Sequence, residues 1–132
     1  MVAFKHLTQT ADWNVEKHVP VIELKQHYKK GEVIEVMVAV GKELAHPNTT
    51  EHHIRWISLY FQPTGEKFPY EIGSVTFNAH GESINGPDSS TVYTHHAVNF
   101  FMKTEKGGVL SAYCYCNIHG IWGSSLDLNV SL

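Results

Sequence analysis

Apolar and polar residues alternate with a period of two along much of this chain, as strands with one buried face require. The stretch "EVIEVMVAV", Glu32 to Val40, is rich in β-branched residues, and "HIRWISLYF", His53 to Phe61, is aromatic and β-prone. "SVTF", Ser74 to Phe77, is short; "TVYTHHAVNFFMKT", Thr91 to Thr104, reads as one long strand. "GVLSAYCYC", Gly108 to Cys116, and "VPVIEL", Val19 to Leu24, add two more. In "SLDLNVSL", Leu126, Leu128, Val130 and Leu132 point one way, and Ser125, Asp127, Asn129 and Ser131 the other. Glycine, proline and polar clusters separate these runs: "YKKGE", "PTGEKFP", "NGPDSS", "EKGG" and "HGIWG". No segment of normal helix length carries a helical period. About seven short strands with frequent turns predict an all-β, immunoglobulin-like antiparallel β-sandwich.

Length makes this one domain, residues 1–132, large enough for a proper core. The hydrophobic fraction of 42% and charged fraction of 17% are those of an ordinary globular protein. A formal net charge of −3 argues against nucleic-acid binding, which goes with a basic surplus. The opening "MVAFKHLTQTADWN" lacks the apolar core of a signal peptide, and no apolar run is long enough to span a bilayer. These features predict a cytoplasmic protein, away from membranes, with reduced thiols.

The unusual number is ten histidines. Histidine is the commonest metal ligand, so their placement matters. If "LSAYCYC" is a strand, Cys114 and Cys116 share a small apolar face, while Tyr113 and Tyr115 share the other. A disulfide between strand positions two apart is geometrically poor. Cys114 therefore reads as a buried structural thiol. Cys116 opens a tight loop, "CNIHG", where a thiolate and the His119 imidazole can converge on one ion; a buried thiol beside a surface histidine is the competing reading. His46 and His52 bound "HPNTTEH", whose loop chemistry lets it wrap a centre. His52 and His53 face opposite sides of a strand, and periodicity does not choose between them. His18 in "EKHVP" precedes a proline-marked strand start. Each alone reads as a solvated loop histidine; several at strand ends, with a cysteine, read as a metal centre.

Taken together, "EKHVPVIE", "HPNTTEHHIRWI", "NAHGES" and "CNIHGIW" resemble the iron superoxide reductases, a family that includes the neelaredoxins and the iron-binding domain of desulfoferrodoxins. The likeness runs from about Glu16 to the C-terminus. It implies a seven-stranded immunoglobulin-like sandwich and one mononuclear non-haem iron ion, Fe(II) or Fe(III), per chain. Its implied ligands are His18, His46, His52 and His119 as four equatorial imidazoles and Cys116 as the axial thiolate. Glu16 is implied as the sixth ligand once iron is oxidised, and Lys17 as positive charge beside the open position. The implied reaction is one-electron reduction of superoxide to hydrogen peroxide, with the electron supplied by an external donor of the rubredoxin type. A homo-oligomer, a tetramer, is the state the resemblance implies.

Neutral imidazoles suit Fe(II), and a trans thiolate pushes electron density toward bound oxygen. The four-cysteine second centre of desulfoferrodoxins is excluded, because the chain has two cysteines in all. Two alternatives stand behind this reading. A blue-copper electron carrier needs a weak axial ligand, usually methionine, near the cysteine loop, and no methionine follows Met102. A non-catalytic β-sandwich with a structural zinc would use four ligands and leave one of the five over. His80, His95 and His96 are expected to have no metal role, His6 and His27 to be exposed, and Trp56 and Trp122 to line the core or the site.

Overall fold

A computed structural model describes residues 7–25 and 27–131. Its eight strands are β1 (Pro20–Glu23), β2 (His27–Lys29), β3 (Ile34–Val40), β4 (Ile54–Pro63), β5 (Tyr70–Thr76), β6 (Ala97–Met102), β7 (Gly108–Cys116) and β8 (Gly120–Ser131). They form two sheets, in the orders β1-β3-β6 and β2-β8-β7-β4-β5. Among the described residues no helix is long and apolar enough to cross a membrane.

Alternation does what period-two burial demands. In β3, Ile34, Val36, Val38 and Val40 are buried between the sheets, and Glu35 and Met37 face out. In β7, Leu110, Ala112, Cys114 and Cys116 are all 0% exposed. They meet Ile57, Leu59 and Phe61 of β4 and Leu128 of β8 in one core cluster. Each such side chain contributes roughly 1.5–3 kcal/mol by leaving water.

The architecture is the expected sandwich, with differences that have physical causes. The long strand expected over Thr91–Thr104 is regular only over Ala97–Met102. Its partner β3 pairs it from Ile34 to Ala39, so residues 91–96 run past that edge. They turn instead to the excursion after β5, where the Thr94 amide donates to the Ala79 carbonyl at 2.9 Å. β5 begins earlier than expected and stops at Thr76, before Phe77. "HGIWG" is not wholly a turn: Gly120 already pairs with Cys116, and β8 runs from there to Ser131. Within it Leu128 is buried, but Leu126 is 40% exposed; Leu132 lies outside the described residues. β2 was not expected; it pairs parallel with β8, as does an isolated bridge between Gln9 and Trp122, against the antiparallel order of the other strands. His27 is exposed as expected, whereas His6 lies outside the described residues.

Candidate metal centre

The ends of the strands place the histidines. His18 lies two residues before the start of β1, His46 and His52 lie in the connection between β3 and β4, and Cys116 ends β7. His119 sits in the turn that leads into β8, and Gly120 makes that turn possible at φ +86°, a left-handed conformation that strains other residues. All five therefore gather at one end of the sandwich.

One ligand atom from each of His18, His52, Cys116 and His119 lies within 4.8 Å of all the others. His46 stands beside this group rather than inside that limit: its ring is 4.9 Å from the His18 ring and 4.8 Å from the His52 ring, edge-on to both. His18 Nε2 is 3.1 Å from His119 Nδ1, which is 3.7 Å from Cys116 Sγ. The His119 backbone amide also donates to Cys116 Sγ, at 3.4 Å. Cys116 and His18 are buried, and His119 is exposed, so one edge of the cluster meets solvent.

Hydrogen bonds turn the ring nitrogens toward the centre. Nδ1 of His46 donates to the Pro47 carbonyl at 2.7 Å, which leaves its Nε2 with a free lone pair. Nδ1 of His18 meets Glu16 Oε1 at 2.5 Å, and the same oxygen accepts from the His18 backbone amide at 3.0 Å. Nε2 of His46 and Nε2 of His52 are buried with no hydrogen-bond partner among the described residues. Buried polar atoms left this way cost about 1–3 kcal/mol each and ask for an explanation. A metal ion accepting both lone pairs supplies one. A thiol sulfur and imidazole nitrogens are a donor set for iron, zinc or copper, not for magnesium or calcium.

The electrostatics favour the neutral form of His46 and His52. Burial pushes His46 down to about 4, and the neighbouring His18, His52 and His96 add to that; the bond to Pro47 opposes it. His52 is lowered too, first by burial, then by His119, His18 and Lys17. Neutral imidazole is the form that binds metal. Glu16 is held below the usual carboxylate range, chiefly by its bond to the His18 ring. Lys17 is half-buried and pairs with no carboxylate among the described residues.

One contributor was not foreseen. Asn117 stitches the cysteine turn to the histidine loop: its Oδ1 accepts from the His53 amide at 2.9 Å and its Nδ2 donates to the Glu51 carbonyl at 2.8 Å. An asparagine directly after Cys116 was the available signal. Cys114, a structural thiol as expected, donates from Sγ to the His18 carbonyl at 3.1 Å; burial first, then Cys116, pushes it up to about 12, so it stays protonated. His53, the alternative to His52, turns away from the centre and stacks on His80. Trp122 is a site wall, lying flat on the His18 ring at 5.1 Å and 17° and donating from Nε1 to the His119 carbonyl. Trp56 is elsewhere, stacked on Tyr115. His96 is buried 5.9 Å from the His46 ring, centre to centre, and contributes no atom to the cluster. No methionine sulfur serves the centre among the described residues. Met37 faces outward on β3, and Met102 pairs with Ile34 at the far end of β6.

The family profile described as Desulfoferrodoxin matches residues 10–125. The superoxide reductase of Pyrococcus furiosus is 56% identical over 120 residues, 91% of this chain and 94% of that protein. The neelaredoxin of Megalodesulfovibrio gigas is 56% identical over 89% of this chain and 90% of its own length. Among solved structures, the reduced superoxide reductase (neelaredoxin) of Archaeoglobus fulgidus superposes with a TM-score of 0.89 at 56% identity, covering 94% of this chain and 99% of that one.

Proposed function

This chain belongs to the desulfoferrodoxin family, and from that membership and the geometry of its histidine–cysteine cluster we propose that it is a superoxide reductase. The observation that carries this reading is the pair of buried, partnerless Nε2 atoms of His46 and His52, beside the convergent donors of His18, Cys116 and His119. We assign the metal as one iron ion per chain, held by His18, His46, His52, His119 and Cys116. When bound, ferrous iron there supplies the one electron that, with two protons, converts superoxide to hydrogen peroxide.

The residues divide the work around it. His18, His46, His52, His119 and Cys116 would hold the ion, and the solvent-facing edge at His119 would leave superoxide access to it. The Pro47 carbonyl and the Glu16 carboxylate fix the tautomers of His46 and His18, as partners behind metal-bound imidazoles do. Lys17, free of a carboxylate partner among the described residues, supplies positive charge that draws anionic superoxide toward the centre. Its influence reaches the cluster, since it helps to lower His52 after burial, His119 and His18. Glu16, beside His18, is the residue that would serve as a further carboxylate ligand to ferric iron. Trp122 covers one face of His18 and limits water on that side.

The electron comes from a separate donor protein of the rubredoxin type, and the exposed His119 edge is the shortest way in. Two free, buried thiols fit a reducing cytoplasm. The assembly proposed is a homotetramer, with the half-buried aromatic pairs Trp56–Tyr115 and Tyr60–Tyr113 of the larger sheet as its candidate contact.

The test is iron reconstitution followed by an absorption spectrum and a superoxide-consumption assay. About one iron per chain is expected, with a visible thiolate-to-iron band on oxidation that disappears in Cys116→Ser together with peroxide formation. An unchanged band and rate in that variant would remove Cys116 from the centre.

A further inference from the structure

We infer that His80, on the excursion between β5 and β6, is a positioning residue for the metal centre, acting through His53 and the loop that carries His46 and His52. The inference rests on the metal-site reading above.

The local geometry is unusual. The His53 and His80 rings lie face to face, with centroids 3.5 Å apart and planes 3° from parallel. Both residues are buried, at 4% and 5% exposure. Neither contributes an atom to the metal cluster. His53 spends its ring on holding the loop: Nδ1 donates to the Thr49 carbonyl at 2.8 Å, and Nε2 accepts from Arg55 Nε at 3.2 Å. Thr49 in turn reaches His52 itself, since the His52 amide donates to Thr49 Oγ1 at 3.0 Å and the Thr49 amide donates to the His52 carbonyl at 2.9 Å. A displaced His53 ring would therefore free Thr49, and with it the backbone of His52.

His80 is the abutment against which this assembly rests. Its Nε2 donates to the Phe77 carbonyl at 2.7 Å, and its Nδ1 faces Asn48 Oδ1 at 3.3 Å. Its carbonyl accepts from Thr50 Oγ1 at 3.2 Å, and its amide donates to Glu82. One residue thus touches three members of the histidine loop: Asn48, Thr50 and His53. The rest of the excursion repeats the pattern. Asn48 Nδ2 donates to the Thr94 carbonyl at 2.7 Å, and Thr50 exchanges two bonds with Asp88. Asp88 makes those bonds from φ 55°, the one described non-glycine residue with positive φ. Such strain persists only where surroundings over-determine it. Gly81 admits this arrangement, because a Cβ there would meet Tyr93 Oη at 2.9 Å and Asp88 Oδ1 at 3.0 Å. A loop with no regular structure gains its precision from an outside support, and here almost every polar side chain from Asn48 to Thr50 is used for that purpose.

The experiment strips the protein with chelator and titrates it with Co(II), reading affinity by chelator competition and the thiolate-to-cobalt band by absorption. Three variants are compared with the unaltered chain. His80→Leu removes the flat ring and both ring nitrogens; His80→Phe restores the ring alone; Val36→Ala opens a cavity in β3, remote from the centre. Partners behind a metal site are typically worth 10–100-fold in affinity, so His80→Leu is expected to weaken Co(II) binding about tenfold and to shift the band. His80→Phe is expected to recover part of that loss. Val36→Ala should lower the unfolding midpoint and leave affinity and band alone. Unaltered affinity and band in both His80 variants would make His80 a packing residue and overturn the inference. So would an equal loss of affinity in Val36→Ala at equal loss of stability. If His80→Leu fails to fold, His80→Phe decides: weakened binding supports the inference and full affinity overturns it. Absence of any cobalt–thiolate band in the unaltered chain would overturn the metal-site reading itself and this inference with it.

Discussion

Two buried histidines predict how the metal-free protein responds to acid. His46 and His96 are each pushed down to about 4 from an ordinary value of 6.5, first by burial and then, apart from the Pro47 bond that raises His46, by neighbouring histidines. Their folded-state values lie below their unfolded ones. The unfolded chain therefore binds a proton at each site between pH 4 and 6.5 while the folded chain does not. Stability is complete above the upper value and falls as pH falls through the window. The slope is about 1.4 kcal/mol per pH unit per histidine inside it, and integration to about pH 5 gives a loss of about 2 kcal/mol for each. Both residues are nearly inaccessible, at 5% and 6% exposure, so solvent screening takes little from these figures. Glu16 and Glu82 are lowered from 4.5, so their losses begin at more acid pH. The assay is denaturant unfolding of chelator-treated protein at intervals from about pH 7.5 to about pH 5, with and without His96→Gln. That variant should reduce the loss over the range by about 2 kcal/mol, independent of its own effect at neutral pH. Identical pH slopes for the two proteins would refute the claim that His96 is buried in its neutral form.

Other outcomes follow from single contacts. Glu16→Ala should keep superoxide consumption, open the oxidised centre to azide, and weaken metal binding by about tenfold through loss of the His18 partner; azide titration of the ferric band and chelator competition read the two effects. Gly120→Ala meets no steric obstacle but must adopt φ +86°, so it should lose about 1–2 kcal/mol in denaturant unfolding. Leu110→Ala, at a site with 0% exposure, should lose about 2–5 kcal/mol in the same assay, with iron content unchanged once folded.

Legibility in the sequence followed how locally each feature is determined. Gly108–Cys116 was readable to the residue because β7 is paired on both sides along its whole length, so its alternation is enforced throughout. Thr91–His96 has the same β-prone composition but only isolated pairing, Tyr93 with His80 and the His96 carbonyl with Val40, and composition alone did not make it a strand. β2 is three residues long and exists through a parallel register with the distant Asn129–Ser131, which no local pattern reveals. At the centre, the family motifs singled out all five histidine and cysteine positions, and the structure gathers them at one end of the sandwich. The supports were harder to see. His53 was visible only as a rival to His52, and His80 only as a turn residue, because their stack joins positions far apart in sequence.

This division between readable donors and unreadable supports has an energetic reason. The donors come from both ends of the chain, residues 18 to 119, so no partly folded segment can assemble them. The sandwich must form first and hold two partnerless nitrogens in place, at about 1–3 kcal/mol each. That cost falls on the metal-free fold, and a bound ion removes it. Binding that is specific to the folded state then stabilises by RT ln(1 + [metal]/Kd), about 4 kcal/mol at a thousandfold excess over Kd. The bonds to the Pro47, Thr49 and Glu51 carbonyls and the His53–His80 stack keep the nitrogens aimed at the centre in the meantime. Without them the rings would turn away from the centre, and the same ion would bind more weakly. The supports keep these nitrogens ready for an ion, which is why so many of them contact the loop of His46 and His52, whose Nε2 atoms have no other partner among the described residues.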